Sequence, residues 1–326
     1  MTRPLRVLTW HVHGAYLYYL SQADCEFILP LSEDRSEGYG GRAGDHPWGD
    51  NVREVPWEQV RDEQIDVILC QSRRNYLVDR PAILSGRQLE LPCVYIEHDP
   101  PREHPSDTKH PVDDPNALLV HVTHFNDLMW DSGSTPTTVI EHGVVIPEGV
   151  SYTGELERGL VVINQLAKRG RRLGADVFLH ARKSLPLDLV GMEADQLGGL
   201  GEIPHSRLPA FASRYRFFFN PIRYTSFGLA VCEAMAVGVP VVALATTEMV
   251  TVIENDFNGY LHTDLAVLEG QMHELLRDPG LARRLGEGAR QTAHKRFGIE
   301  RFAREWESTL REVAGGRSER VVAAAS

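Results

Sequence analysis

The sequence predicts an α/β protein of two domains, each built on a parallel sheet covered on both faces. Three observations carry this. Ten short apolar runs rich in β-branched residues recur along the chain, and most are continuous rather than alternating, the pattern of strands buried on both faces. Helix-like segments such as 206–214 and 228–237 lie between runs, and strand–helix–strand repetition implies α/β layers. The runs also fall into two groups, divided by PEGVSYTGELERG at 147–159, which has Pro, Gly and no apolar period and reads as a linker. A length of 326 residues fits two domains of about 150 residues.

The first group is RVLTW (6–10), CEFILP (25–30), DVILCQ (66–71), CVYIEH (93–98), LLVHVTH (118–124) and TTVIEHGV (137–144). The second is LVVIN (160–164), LDLVG (187–191), YRFFFN (215–220) and VPVVAL (239–244). Residues 264–313 read as helices. In the last of them Phe302, Trp306 and Leu310 recur every four residues and form one apolar face, and GGRSERVVAAAS after it reads as a frayed end. GYGGRAG (38–44) has the glycine count of a dinucleotide fingerprint without the strand before it or the helix after it. It reads as a flexible surface loop, able to fold over a substrate.

Composition narrows the function classes. The net charge is −11 and no long block of like charge exists, which argues against a nucleic-acid arm. A local basic pocket for phosphate remains compatible with that total. Cys25, Cys70, Cys93 and Cys232 form no CxxC pair and read as buried free thiols of a reducing compartment. No leader-like run and no 18-residue apolar span occurs, so a cytoplasmic location is expected, with peripheral attachment at the inner membrane face left open. The 14 histidines include His98, His104, His110, His121 and His124, but their spacings fit no HExxH or Cys/His zinc pattern. Asp113-Asp114 lies in a Pro-flanked loop. No metal is expected.

The most informative stretch is TSFGLAVCEAMAVGVPVV, from Thr225 to Val242. It holds one carboxylate, Glu233, in an apolar run, then Gly238 and Pro240, which suit a helix end. A Glu there is seldom buried without a partner. It is either a paired structural carboxylate or an acceptor for ligand hydroxyls.

FNPIRYTSFGLAVCEAMAVGVPVVAL resembles the donor-site signature of retaining GT-B glycosyltransferases, especially family 4, closely from Ser226 to Val242. EMVTVIENDFNGYL (248–261) and DPGLARRLGEGARQTAHKRF (278–297) resemble the segments that follow it in the family. Upstream, VIEHGV and YIEHDPP resemble family loops more weakly. The resemblance implies two Rossmann-like domains facing across a cleft: an acceptor domain at 1–148, a nucleotide-sugar domain at 149–296, and a tail helix at 297–326 crossing back to the first. It implies that Glu233 accepts the ribose hydroxyls, and such charge-assisted bonds contribute about 1.5–3 kcal/mol each. Thr225, Ser226, Phe227, Gly228 and Leu229 would form the donor-binding turn, with Gly228 opening a helix whose first N–H groups can meet phosphate.

This chain departs from the family pattern at two places. The first Glu of the family pair falls at Thr225, which is shorter, neutral and able to donate. The family's Gly-Arg is replaced by Asn164-Gln165 and its Lys-Gly by Arg169-Gly170. Arg169 and then Lys168 become the expected phosphate cations. In the first domain His98 is expected against the donor sugar, and His13-Gly14 in the loop near acceptor and phosphates. Tyr16, Tyr18 and Tyr19 read equally as a sugar platform or as a buried helix start. The implied reaction is retaining transfer from a nucleotide sugar to a hydroxyl of a glycan or lipid-linked acceptor, as in cell-surface polysaccharide synthesis, without a cofactor. The alternatives are a catalytically degenerate nucleotide-sugar-binding protein and another GT-B enzyme, such as an epimerase or phosphorylase.

Overall fold

The computed structural model describes residues 3–146 and 148–316. Pro147 of the expected linker and residues 317–326 of the expected frayed end lie outside the described residues. The strands are β1 (Leu5–Thr9), β2 (Cys25–Leu31), β3 (Val52–Pro56), β4 (Val67–Cys70), β5 (Cys93–Glu97), β6 (Ala117–His121), β7 (Thr137–Val139), β8 (Leu156–Val162), β9 (Leu187–Val190), β10 (Tyr215–Asn220), β11 (Val241–Leu244) and β12 (Gly259–His262). They form two sheets, in the orders β3-β2-β1-β4-β5-β6-β7 and β12-β11-β10-β8-β9. Every pairing is parallel. The chain divides into two units accordingly: the described residues up to Gly143 together with those from Ile299 onward, and Val144–Gly298. The fold class is α/β, with a parallel sheet in each unit.

The continuous apolar runs are the buried strands. β4, β6, β10 and β11 are buried at every position. The two strands that the runs do not reveal, β3 and β12, are edge strands. β3 mixes buried and exposed residues and carries Arg53 and Glu54, as solvated edges do. β12 is only four residues long and opens on Gly259, where a Cβ would run into the Val241 backbone.

Three expectations need correction. The linker at 147–159 ends earlier, because Leu156–Gly159 already belongs to β8. Arg158 pairs there with Asp188 of β9 at 2.6 Å, and Gly159 has no Cβ because the Phe217 ring lies against the backbone. The run 137–144 is strand only over 137–139. The glycine segment is pinned rather than flexible: Gly38 to Gly41 are buried, the His11 amide donates to the Gly38 carbonyl, and His11 Nδ1 lies 2.7 Å from the Gly41 carbonyl.

The helices used below are α1 (Gly14–Leu20), α2 (Ala175–Ala181), α3 (Leu229–Val237), α4 (Leu265–Arg277), α5 (Pro279–Arg296) and α6 (Ile299–Ala314). Asp264 and Asp278 cap α4 and α5 by accepting backbone N–H bonds, and Pro279 occupies the first turn of α5. α6 belongs to the first unit. Its face of Phe302, Trp306 and Leu310 is fully buried, with Phe302 edge-on to Tyr16 of α1 at 5.6 Å. All four cysteines are buried and none of them forms a disulfide. Among the described residues no helix is long and apolar enough to cross a membrane.

Truncating the centre of the α6 face leaves a large void. Trp306→Ala is expected to destabilise the first unit by about 3–5 kcal/mol, read from the midpoint of its denaturant unfolding transition.

Candidate functional site

In the second sheet β8 leads to β9 on one side and β10 on the other. Ligands of open α/β sheets bind outside the carboxyl ends of strands at such a reversal of order. The basic segment leaves the carboxyl end of β8, and the Thr225 loop leaves that of β10. The two segments are fastened together. The amides of Arg223 and Tyr224 both donate to the Arg172 carbonyl, at 3.1 and 3.2 Å, and Arg172 Nη1 returns a bond to the Tyr224 carbonyl at 3.3 Å. Arg223 also donates to the Arg171 carbonyl at 2.8 Å. Gly174, with φ +81°, meets the Pro221 carbonyl so closely that no Cβ fits.

These contacts sort the cations. Asp176 takes Arg171 at 2.5 Å and Arg223 at 2.6 Å, so both charges are met locally. Arg172 braces the loop. Lys168 is exposed, and Arg169 is half-buried at the end of the short helical turn Leu166–Arg169. Gln165, just before that turn, adopts a left-handed conformation with φ 53°, and so does Glu193 after β9 with φ 58°. Their side chains bond at 2.7 Å, and the Gln165 amide donates to the Met192 carbonyl. Each such conformation costs about 1–2 kcal/mol in a non-glycine residue, a strain that concentrates at ligand sites.

Gly228 is exposed and extended ahead of α3, and no side chain caps that helix. Phe227 stacks on Phe297 at 5.4 Å, which anchors the lead-in. Ser226 is buried, and Thr225 and Leu229 are half-buried. Glu233 lies on α3 and is 2% exposed. It has a partner: His205 Nε2 stands 2.8 Å from Glu233 Oε1. Facing a carboxylate, that nitrogen is the donor. His205 lies 28 positions upstream in a three-residue turn. No periodicity connects two residues so far apart, so sequence reasoning missed it.

In the first unit the sheet brings His13 and His98 together. His13 follows β1, His98 follows β5, and their ring centroids lie 4.2 Å apart. Tyr16 stands edge-on to His98 at 4.7 Å. Burial pushes the His98 imidazole well below its ordinary range, and the neighbouring His13 and His142 add to the effect. His98 is therefore neutral at pH 7. His13 keeps an exposed edge, yet desolvation by the surrounding protein still lowers it. Gly14 is close to two imidazoles, since a Cβ there would sit 3.0 Å from His11 Nε2 and 3.1 Å from His46 Nε2. Tyr16 and Tyr19 are core residues, whereas Tyr18 stacks on His46 at 5.4 Å.

His110 and His121 are buried in the first unit. His110 Nδ1 accepts the Val112 amide at 3.1 Å, so its Nε2 carries the proton toward Glu97, also at 3.1 Å. His121 is fully buried and lowered to about 3, chiefly by desolvation. The Asp127 carboxylate, 3.5 Å away and 37% exposed, is too solvated to offset that. Among the described residues no group of three or more His, Cys, Asp or Glu side chains is placed to hold a metal ion.

Residues 193–292 match the model of the family described as glycosyl transferases group 1. The matched segment contains Thr225–Leu229, His205 and Glu233. The N-acetyl-alpha-D-glucosaminyl L-malate synthase of Bacillus anthracis is 34% identical over 90 residues, 27% of this chain and 24% of that protein. The chain thus spans about a quarter of the length of this curated relative. Among solved structures, sucrose-phosphate synthase from Thermosynechococcus elongatus aligns with a TM-score of 0.73 at 16% identity, covering 96% of this chain and 100% of that one. Anabaena HepE in complex with UDP aligns at 0.67 and 15% identity, covering 95% and 100%. At such identities the likeness is one of fold.

Two outcomes are expected from this geometry. Gly174→Ala should cost about 1–2 kcal/mol in backbone strain and a further amount from overlap with the Pro221 carbonyl. Gly198→Ala, in the same left-handed region at φ +68° and ψ 31° and facing only the flexible Arg182 guanidinium at 3.1 Å, should cost little beyond the strain. Denaturant unfolding of the two variants measures the difference. For His121 the folded pKa lies below the unfolded value of about 6.5, so its contribution is complete above that pH and falls as pH drops toward 3. Between pH 7 and pH 5 it should remove about 2 kcal/mol from the unfolding free energy, and His121→Gln should flatten that dependence.

Proposed function

We propose that this chain is a retaining glycosyltransferase that moves a sugar from a nucleotide-sugar donor to a hydroxyl of a glycan or lipid-linked acceptor. The observation that carries the reading is the match at 193–292, within which the Thr225 loop leaves the carboxyl end of β10 and is bolted to the basic segment after β8, and Glu233 lies on the helix that follows the loop. A nucleotide sugar presents a ribose diol, a diphosphate and a hexose. Glu233 suits the diol, because one carboxylate accepts both protons. Arg169, Lys168 and the opening turn of α3 suit the diphosphate.

In this proposal the leaving diphosphate takes the proton of the attacking hydroxyl on the face it departs from, so configuration is retained. The enzyme's task is to stabilise charge on that phosphate and to hold the acceptor in line. The basic side chains perform it without a metal. His98, being neutral, is suited to bind a sugar hydroxyl as a hydrogen-bonding group rather than as a charge, and His13 and Gly14 belong to the same group of first-unit candidates. Thr225 offers the sugar a short neutral hydroxyl in place of a carboxylate, which alters the choice of donor. The same residue favours a second reading, a nucleotide-sugar-binding protein without turnover, and a transfer assay separates the two.

A thermal-shift screen across UDP-, GDP-, ADP- and dTDP-sugars tests the donor site. A true donor at 100 times its Kd should stabilise the protein by about 2.7 kcal/mol. Glu233→Ala should abolish the shift, and Thr225→Glu should change which sugar produces it. A screen in which no nucleotide sugar shifts the transition sinks the proposal.

A further inference from the structure

His205 has no part in the donor-site signature, yet it holds the carboxylate at the centre of that site. Glu233 is almost wholly buried, its side chain 3% exposed, while the His205 side chain is 23% exposed and bonds to it at 2.8 Å. An ionised carboxylate removed from water requires a donor, and its terminal torsion is broad and two-fold until a bond fixes it. A diol can engage both hydroxyls only if the carboxylate plane is set.

We propose that His205 is a positioning residue for nucleotide recognition. Its Nε2–H sets the plane of the Glu233 carboxylate so that this group accepts the ribose hydroxyls of the donor. The inference rests on the donor-site reading above and names a residue in which the strength of ribose recognition resides.

Calorimetric titration of the full chain with UDP and with 2′,3′-dideoxy-UDP tests it, with the GDP and ADP pairs in parallel to find the base that binds. The parent protein should prefer the ribose form about ten-fold or more. His205→Ala should collapse that preference to about two-fold or less, comparable to a single weak bond. His205→Gln, whose amide nitrogen reaches the place of Nε2, should keep most of it, whereas the shorter His205→Asn should not. Glu233→Gln should lose the preference, and adding His205→Ala to it should change nothing further. Circular dichroism checks folding. If the alanine variant does not fold, the Gln and Asn pair decides the matter, since a merely structural role does not make ribose preference follow the reach of an amide. Undiminished preference in His205→Ala overturns the proposal. Tighter UDP binding by that variant also overturns it, and identifies the imidazole as an occupant that competes with ribose. A parent protein that binds none of the three nucleotides refutes the donor reading itself, an outcome distinct from binding with intact preference in the variant.

Discussion

A carboxylate taken out of water must be met by a hydrogen-bond donor or give up its charge. In this protein that constraint falls on Glu233, which lies in the middle of the apolar helix α3 and is 2% exposed. The helix reads as core on every other ground, with Val231, Cys232, Ala234 and Met235 buried around it. His205 meets the carboxylate, and so the three-residue turn that bears His205 is tied to the helix that carries the family signature. Pairing and ligand acceptance therefore need not be rival roles for one Glu. The bond fixes the orientation of the carboxylate, which is what the proposed recognition of a diol requires of it.

The same logic governs the cations. Of the basic residues near the end of β8, Arg171 is met by Asp176 and Arg172 by the carbonyl of Tyr224. The carboxylate offsets the charge of Arg171, whereas the neutral carbonyl only holds Arg172 in place. Lys168, being exposed, keeps its charge in contact with solvent. The loop contacts compensate by rigidity: Gly174 lets Pro221 approach, Arg223 spans to Asp176, and the strained Gln165 and Glu193 hold each other. A site assembled from two loops needs such mutual bracing, since neither loop has a ladder of its own. In the first unit the counterpart is electrostatic neutrality. His98 is kept uncharged by burial and by two neighbouring imidazoles, which leaves it fit for hydrogen bonding to neutral hydroxyls.

Much of the fold was legible because buried parallel strands announce themselves as continuous apolar runs. The edge strands β3 and β12 did not, since an edge carries charge or is very short. The supposed linker hid the first half of β8 because Arg158 and Gly159 look like loop residues. One of them is a cross-strand ion-pair member and the other a seat for Phe217. The glycine-rich segment misled for the opposite reason. Its glycines serve close packing against His11 and Glu54 rather than mobility.

The sequence by itself determined the α/β class, the division into two groups of strands, the helix that carries Glu233 and the turn that opens at Gly228. Each of these is a local pattern, written in periodicity, glycine and proline. Only the tertiary structure decided that His205 holds Glu233, that His13 lies against His98, and that Arg171 and Arg172 are occupied while Lys168 is exposed. Those facts depend on residues from 5 to 85 positions apart meeting in the folded chain, and no local pattern encodes which strand ends become neighbours.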